Sequence, residues 1–215
     1  MYSVMKYTPL LLAALFSCIG WSRSSASVTN VTAYGENSVY CYSYSLGTPG
    51  DVFTMNSIQS GPGGIQGWIY TDSAEDPTLT LQNTINNDTG FDWTGYHVDV
   101  FMNQSFTIAS PSVLNSGWSG TITAQPTWNG SQYEGQIDFV GGTPVGANQI
   151  LSFSYQISFS GSTSFTFSQT LSPVPEPGTP SLLLAGALLG GGLVFTRKLR
   201  VRTAIQAPSR IRAMV

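Results

Sequence analysis

The chain has one histidine, so nucleophilic chemistry that needs an imidazole base must run through His97. In Tyr96-His97-Val98-Asp99-Val100 a period of two places His97 and Asp99 on the same side of a strand. A carboxylate beside an imidazole is the pairing that orients a general base. The nucleophile is missing from this pattern. No G-x-S-x-G elbow occurs, and Gly117-Trp118-Ser119-Gly120 has the wrong spacing. The plainer reading makes His97 and Asp99 the polar face of a strand whose Val98 and Val100 enter the core. No catalytic residue is assigned.

Metal chemistry is limited in the same way. One histidine and two cysteines, Cys18 and Cys41, leave zinc too few of its nitrogen and sulfur ligands. Calcium takes oxygen ligands, and two stretches supply them: Asp72-Ser73-Ala74-Glu75-Asp76 and Asn86-Asn87-Asp88-Thr89-Gly90-Phe91-Asp92. Neither follows the spacing of an EF-hand or a nonapeptide repeat, so solvated turn-forming acids are the default. No cofactor is expected, with a structural Ca2+ as the alternative. Glycoside hydrolysis requires two carboxylates at a set separation, and nothing in the sequence selects a pair from the acids present. Sugar binding asks for less, since an aromatic face on a rigid sheet or loop is enough. Of Trp68, Trp93, Trp118 and Trp128, the last two sit in Ser/Gly/Asn-rich surroundings and are the candidates for sugar stacking. Core packing is the alternative for each.

The elements that would carry these residues are strands. Phe153, Tyr155, Ile157 and Phe159 alternate with Ser and Gln, and Phe165 and Phe167 with Ser and Thr. The stretches 38–45, 52–58, 78–82, 96–102, 120–124 and 132–140 read similarly, with one apolar and one polar face. Clusters of Gly, Pro, Asn and Asp separate them: Gly47–Gly50, Gly61–Gly64, Asn86–Gly90, Asn129-Gly130 and Gly141-Gly142. About ten short strands in this length predict an all-β domain, a single antiparallel β-sandwich. Segments 150–161 and 163–171 read as a hairpin about Ser160-Gly161-Ser162. Cys41, alone in the body once Cys18 leaves with a leader, reads as a buried thiol.

Composition narrows the class. Only 9% of residues are charged although 41% are hydrophobic, and Ser, Thr, Asn, Gln and Gly replace the missing charge. That pattern excludes a polytopic membrane protein and a coiled coil. From Ser27 to Val174 there is no Lys or Arg but there are ten acids, a formal charge of −10. A body this anionic repels phosphate polymers, which excludes nucleic acid as a partner.

The basic residues mark the ends. Lys6, an apolar run over 10–19 and the small residues Ser24 and Ala26 predict a signal peptide over 1–26. The domain then covers 27–172 and a Pro-rich linker 173–180. An uncharged apolar stretch over 179–196, with its helix expected over 181–196, is just long enough to cross a thin bilayer. The tail 197–215 carries the stop-transfer cluster Arg197, Lys198, Arg200 and Arg202. Gly186-Ala187-Leu188-Leu189-Gly190 adds a G-x-x-x-G pattern to the helix.

Pro175-Glu176-Pro177, the apolar helix and the basic cluster, in that order and behind a signal peptide, resemble the PEP-CTERM sorting signal of Gram-negative bacteria. The same signal is also catalogued as an ice-binding-protein C-terminal domain. The resemblance covers about 30 residues and leaves the domain itself unassigned. It implies export through the Sec machinery and an inner-membrane precursor with its domain in the periplasm. It also implies processing by an exosortase, then residence at the cell surface or in the extracellular matrix, in company with exopolysaccharide and biofilm. The expectation is therefore a non-enzymatic envelope or matrix protein. The second reading is a carbohydrate-binding module for exopolysaccharide, and the third a secreted hydrolase.

Overall fold

The computed structural model describes residues 26–48 and 51–176. Among them are nine strands and no helix: β1 (Val28–Leu46), β2 (Val52–Thr71), β3 (Thr78–Asn87), β4 (Trp93–Met102), β5 (Phe106–Val113), β6 (Ser119–Trp128), β7 (Tyr133–Val145), β8 (Ile150–Phe159) and β9 (Ser164–Pro175). All nine belong to one sheet, in the order β5-β8-β3-β2-β9-β4-β7-β6, with β1 paired to β2.

The long hairpin of β1 and β2 organises the domain. One edge of β2 carries β1 along its length. The other edge pairs in parallel with β3 over Val52–Gln59, then antiparallel with β9 over Gly63–Tyr70. A strand that changes neighbour halfway belongs to two layers, so the hairpin forms a corner. At that corner lies Gly61-Pro62-Gly63-Gly64, expected as a turn but found inside β2. The glycine is needed for close approach, since a Cβ on Gly63 would stand 2.7 Å from the Glu36 carbonyl oxygen. Opposite it, Asn37 takes a left-handed φ of 56° and β1 bulges between Asn37 and Val39.

At the far side β5 and β6 approach without a main-chain ladder. The Gln125 side chain bridges them, receiving the Ile108 N–H at 3.1 Å and donating to the Ile108 carbonyl at 2.9 Å. The sheet therefore curls almost into a barrel. The all-β expectation holds, but the separate sheets of a sandwich are replaced by one continuous sheet, and β2 with β3 is a parallel pair. Nor are β8 and β9 a hairpin. β8 pairs with β3 and β5 while β9 pairs with β2 and β4. Ser160-Gly161-Ser162 has hairpin chemistry, yet here it crosses between layers, and Phe159 meets Phe165 edge-on at 4.5 Å.

Alternation along the strands fills the interior. Phe53, Met55, Ile65, Ile69, Leu81, Val98, Val100, Ile137, Phe139, Tyr155 and Phe165 are each 0–1% exposed. A polar thread crosses this core. The Tyr96 hydroxyl donates to Gln59 Oε1 at 2.5 Å, and Gln59 Nε2 donates to the Gly61 and Leu171 carbonyls at 2.9 Å. The Tyr155 hydroxyl donates to Gln169 Oε1 at 2.8 Å, and Gln169 donates to Asn83. Burial pushes both tyrosine pKa values well up, so both phenols stay protonated donors.

The domain also runs further than the expected boundary at 172. β9 continues to Pro175, opposite Trp93, and the Glu176 N–H donates to the Asp92 carbonyl at 3.0 Å. The first part of the expected linker is thus strand. Residues 1–25 of the expected signal peptide, Pro177, the expected apolar helix 181–196 and Arg197, Lys198, Arg200 and Arg202 lie outside the described residues.

Candidate functional site

The outer face of β1, β2, β9, β4 and β7 is where side chains converge without filling the space. Register sets three rows across it. Thr32, Trp68 and Thr166 form the first; Tyr34, Gln66, Ser168, Phe101 and Glu134 the second; Glu36, Gly64, Thr170, Asp99 and Gln136 the third. The middle strand, β9, contributes only hydroxyls: Thr166, Ser168 and Thr170. Large rings stand on either side, Tyr34 and Trp68 from the hairpin and Phe101 from β4. Gly64 has no side chain in the third row, where a Cβ would stand 2.9 Å from the Gln169 carbonyl oxygen, and the wider depression opens over it.

Two adjoining depressions result. The smaller, about 150 Å³, is lined by Tyr34, Trp68, Phe101 and Thr166 among others. The larger, about 480 Å³, opens over Gly64 between Glu36, Phe101 and Thr170. They share Phe101, Gln132 and Ser168 and make one groove. Three strand spacings separate Tyr34 from Phe101, roughly 14 Å. Trp68 is 40% and Tyr34 41% exposed, with ring centroids 5.9 Å apart and planes tilted by 32°. Rings kept on a polar strand face and standing over a hydroxyl floor suit a ligand with both C–H faces and hydroxyl edges.

Beside the groove lies the histidine. His97 and Asp99 do share the outward face of β4, with Val98 and Val100 buried beneath. A third group joins them from β7: His97 Nδ1 is 2.5 Å from Asp138 Oδ1, and Nε2 is 2.9 Å from Asp99 Oδ1. Gln136 Nε2 also donates to Asp99 at 3.0 Å. Burial alone would lower the His97 pKa, but the hydrogen bonds and charges of Asp138 and Asp99 outweigh it, and the pKa is raised. With a carboxylate on each nitrogen, the ring has no nitrogen left to activate the Ser172 hydroxyl opposite it on β9. It acts as an ionic clip between β4 and β7.

The two tryptophans expected to stack on sugar are placed elsewhere. Trp118 is only 7% exposed, and its indole N–H donates to the Thr143 carbonyl at 2.7 Å. Its Ser/Gly surroundings serve packing, since a Cβ on Gly142, φ 75°, would stand 2.5 Å from the Trp118 ring. Trp118 has almost no face to offer. Trp128 is 55% exposed, but pairs with Tyr133 at 5.3 Å near the β6–β7 turn and does not line the groove. The rings that line the groove are instead Tyr34, Trp68 and Phe101, of which only Trp68 was among the tryptophans weighed from the sequence. For Trp68 the signal was available in β2, where buried Ile65 and Ile69 put it on the polar face.

In the oxygen-rich stretches, Asn87, Thr89 and Asp72 are committed to the fold. Asn87, fully buried, donates to the Phe91 and Val145 carbonyls at 2.8 and 2.9 Å and accepts from the Thr89 N–H and hydroxyl. Trp93 Nε1 donates to the same hydroxyl at 2.9 Å. Asp72 accepts the Ser27 N–H at 2.9 Å. Among the described residues, no three His, Cys, Asp or Glu stand together as a metal site. Cys41 is partly buried, and burial raises its thiol pKa. Compared with protein-family models, with curated proteins and with solved structures, the chain matches none.

Proposed function

We propose that the chain is an exported, non-enzymatic protein of the cell envelope or extracellular matrix whose β domain holds polysaccharide in the groove over β2, β9 and β4. The observation that carries the binding part is the groove's composition. A floor of Thr166, Ser168 and Thr170 lies between the exposed rings of Tyr34 and Trp68 and that of Phe101. Glycans are bound by that combination, with ring faces covering C–H surfaces and hydroxyls answering hydroxyls. Enzymatic cleavage has less support, because His97 is engaged on both nitrogens.

The export part rests on the terminal segments. The signal-peptide pattern, Pro175-Glu176-Pro177, the apolar helix 181–196 and Arg197, Lys198, Arg200 and Arg202 favour a PEP-CTERM precursor. In that reading the helix spans the inner membrane of a Gram-negative cell, the β domain faces the periplasm, and an exosortase acts on the tail. Two experiments separate the parts. Polysaccharide from the host's matrix should co-sediment the protein, and absence of retention would remove the binding reading. Deleting Pro175–Pro177 should redirect the protein from the surface fraction, and unchanged placement would remove the sorting reading.

A further inference from the structure

The charge around the groove selects among polysaccharides, a point that rests on the binding reading above and goes beyond it. Apart from His97 and the Tyr34 phenol, every ionisable group facing the groove or bordering it is a carboxylate. Glu36 lines the wider depression, Asp99 stands across Thr170 from it, and Glu134 lies next to Phe101 in the central row. Asp138 follows on β7. No Lys or Arg occurs anywhere among the described residues. His97 at most offsets one of the two carboxylates it joins.

We infer that the groove takes a polysaccharide bearing free amino groups, a partly deacetylated hexosamine chain, in preference to neutral chains, and rejects polyuronates. The seat for an ammonium group is the gap over Gly64. There the missing side chain leaves room beside Glu36, and the Thr170 hydroxyl and Asp99 continue the row. The Trp68 and Tyr34 rings hold the sugar faces whatever the charge. An ammonium beside Glu36 in a partly enclosed groove is attracted more strongly than one at an open surface, and Asp99 adds negative charge further along the same row. A uronate in the same place meets like charge and no compensating cation.

The test uses the full chain in a non-ionic detergent, with three soluble probes of similar length: N-acetylglucosamine oligomers, their deacetylated form and oligogalacturonate. Binding is measured near pH 6 at low salt and at about 0.5 M salt, where charge attraction is screened. The deacetylated oligomer should bind at least tenfold tighter than the acetylated one at low salt, and lose most of that advantage at high salt. Oligogalacturonate should not bind.

Glu36→Gln should remove most of the ratio between the two affinities, whereas Trp68→Ala should weaken binding of both oligomers and leave that ratio standing. A control replaces Asp72, Glu75 and Asp76, which lie outside the groove, by their amides. If that variant loses as much of the advantage, the preference is bulk charge and the inference falls. Equal binding of the two oligomers, or binding of the uronate, also overturns it while leaving a sugar-binding groove. No binding of any probe or of the host polymer overturns the parent reading.

Discussion

Replacing Trp68 by alanine removes one wall of the groove, and the expected loss follows from the ring's exposure. A tryptophan side chain presents up to roughly 250 Å², and Trp68 is 40% exposed, so about 100 Å² is open to a ligand. At about 25 cal/mol per Å², covering all of it is worth about 2.5 kcal/mol, and covering half about 1.2 kcal/mol. The affinity for polysaccharide should therefore fall by roughly 8- to 70-fold. The covered part of the ring contributes to the fold, so a stability loss on the order of 1–3 kcal/mol accompanies the change. Binding must be measured well below the variant's thermal midpoint, by titration calorimetry or affinity electrophoresis. Trp68→Phe, which keeps a smaller ring on the same face, should recover part of the affinity. A folded Trp68→Ala variant binding within twofold of the parent would refute the assignment of this wall.

Asn87→Ala should cost about 2–4 kcal/mol, because four hydrogen bonds of a fully buried amide are lost and the Phe91 and Val145 carbonyls lose a donor. A denaturant midpoint implying less than about 1 kcal/mol would show that Asn87 does not organise the loop. The His97 clip makes stability depend on pH. Its pKa is raised in the folded state by Asp138 on β7 and Asp99 on its own strand, while β9 opposite offers only the uncharged Ser172 and Thr170. The contribution is complete below the unfolded value near 6.5 and is lost as pH rises through the folded pKa. For this partly exposed cluster the loss is less than about 1 kcal/mol. Thermal midpoints between pH 5.5 and 8.5 should fall in the parent and lose this component in His97→Gln; identical profiles would contradict the clip. Gln125→Ala should open the seam between β5 and β6, speeding hydrogen exchange at the Ile108 amide. Unchanged protection would mean the seam closes without that side chain.

What could be read in the sequence was what alternation controls. The β4 pattern puts Val98 and Val100 inside and His97 and Asp99 outside, and the structure has them so. Asp138 could not be added to that pair, since nothing local reveals that β7 pairs with β4 in the register that places it beside His97. Gly61-Pro62-Gly63-Gly64 carries the composition of a turn, but the glycine is needed because β1 passes within reach of a Cβ. Trp118 shows the same confusion, because the small residues around it make room for a buried ring. The groove was the least legible part. Its rings come from β1, β2 and β4, and they meet over β9 only because β2 changes partner at the corner.

Hydroxyl-radical footprinting of the full chain, with and without the host's extracellular polysaccharide, is the most direct test of the groove. Tyr34, Trp68 and Phe101 should become protected, while exposed Tyr40, Tyr42 and Trp128 keep their labelling rates. Protection confined to Trp128 and Tyr133, or no change at any aromatic residue while the polymer is bound, would contradict binding at this site.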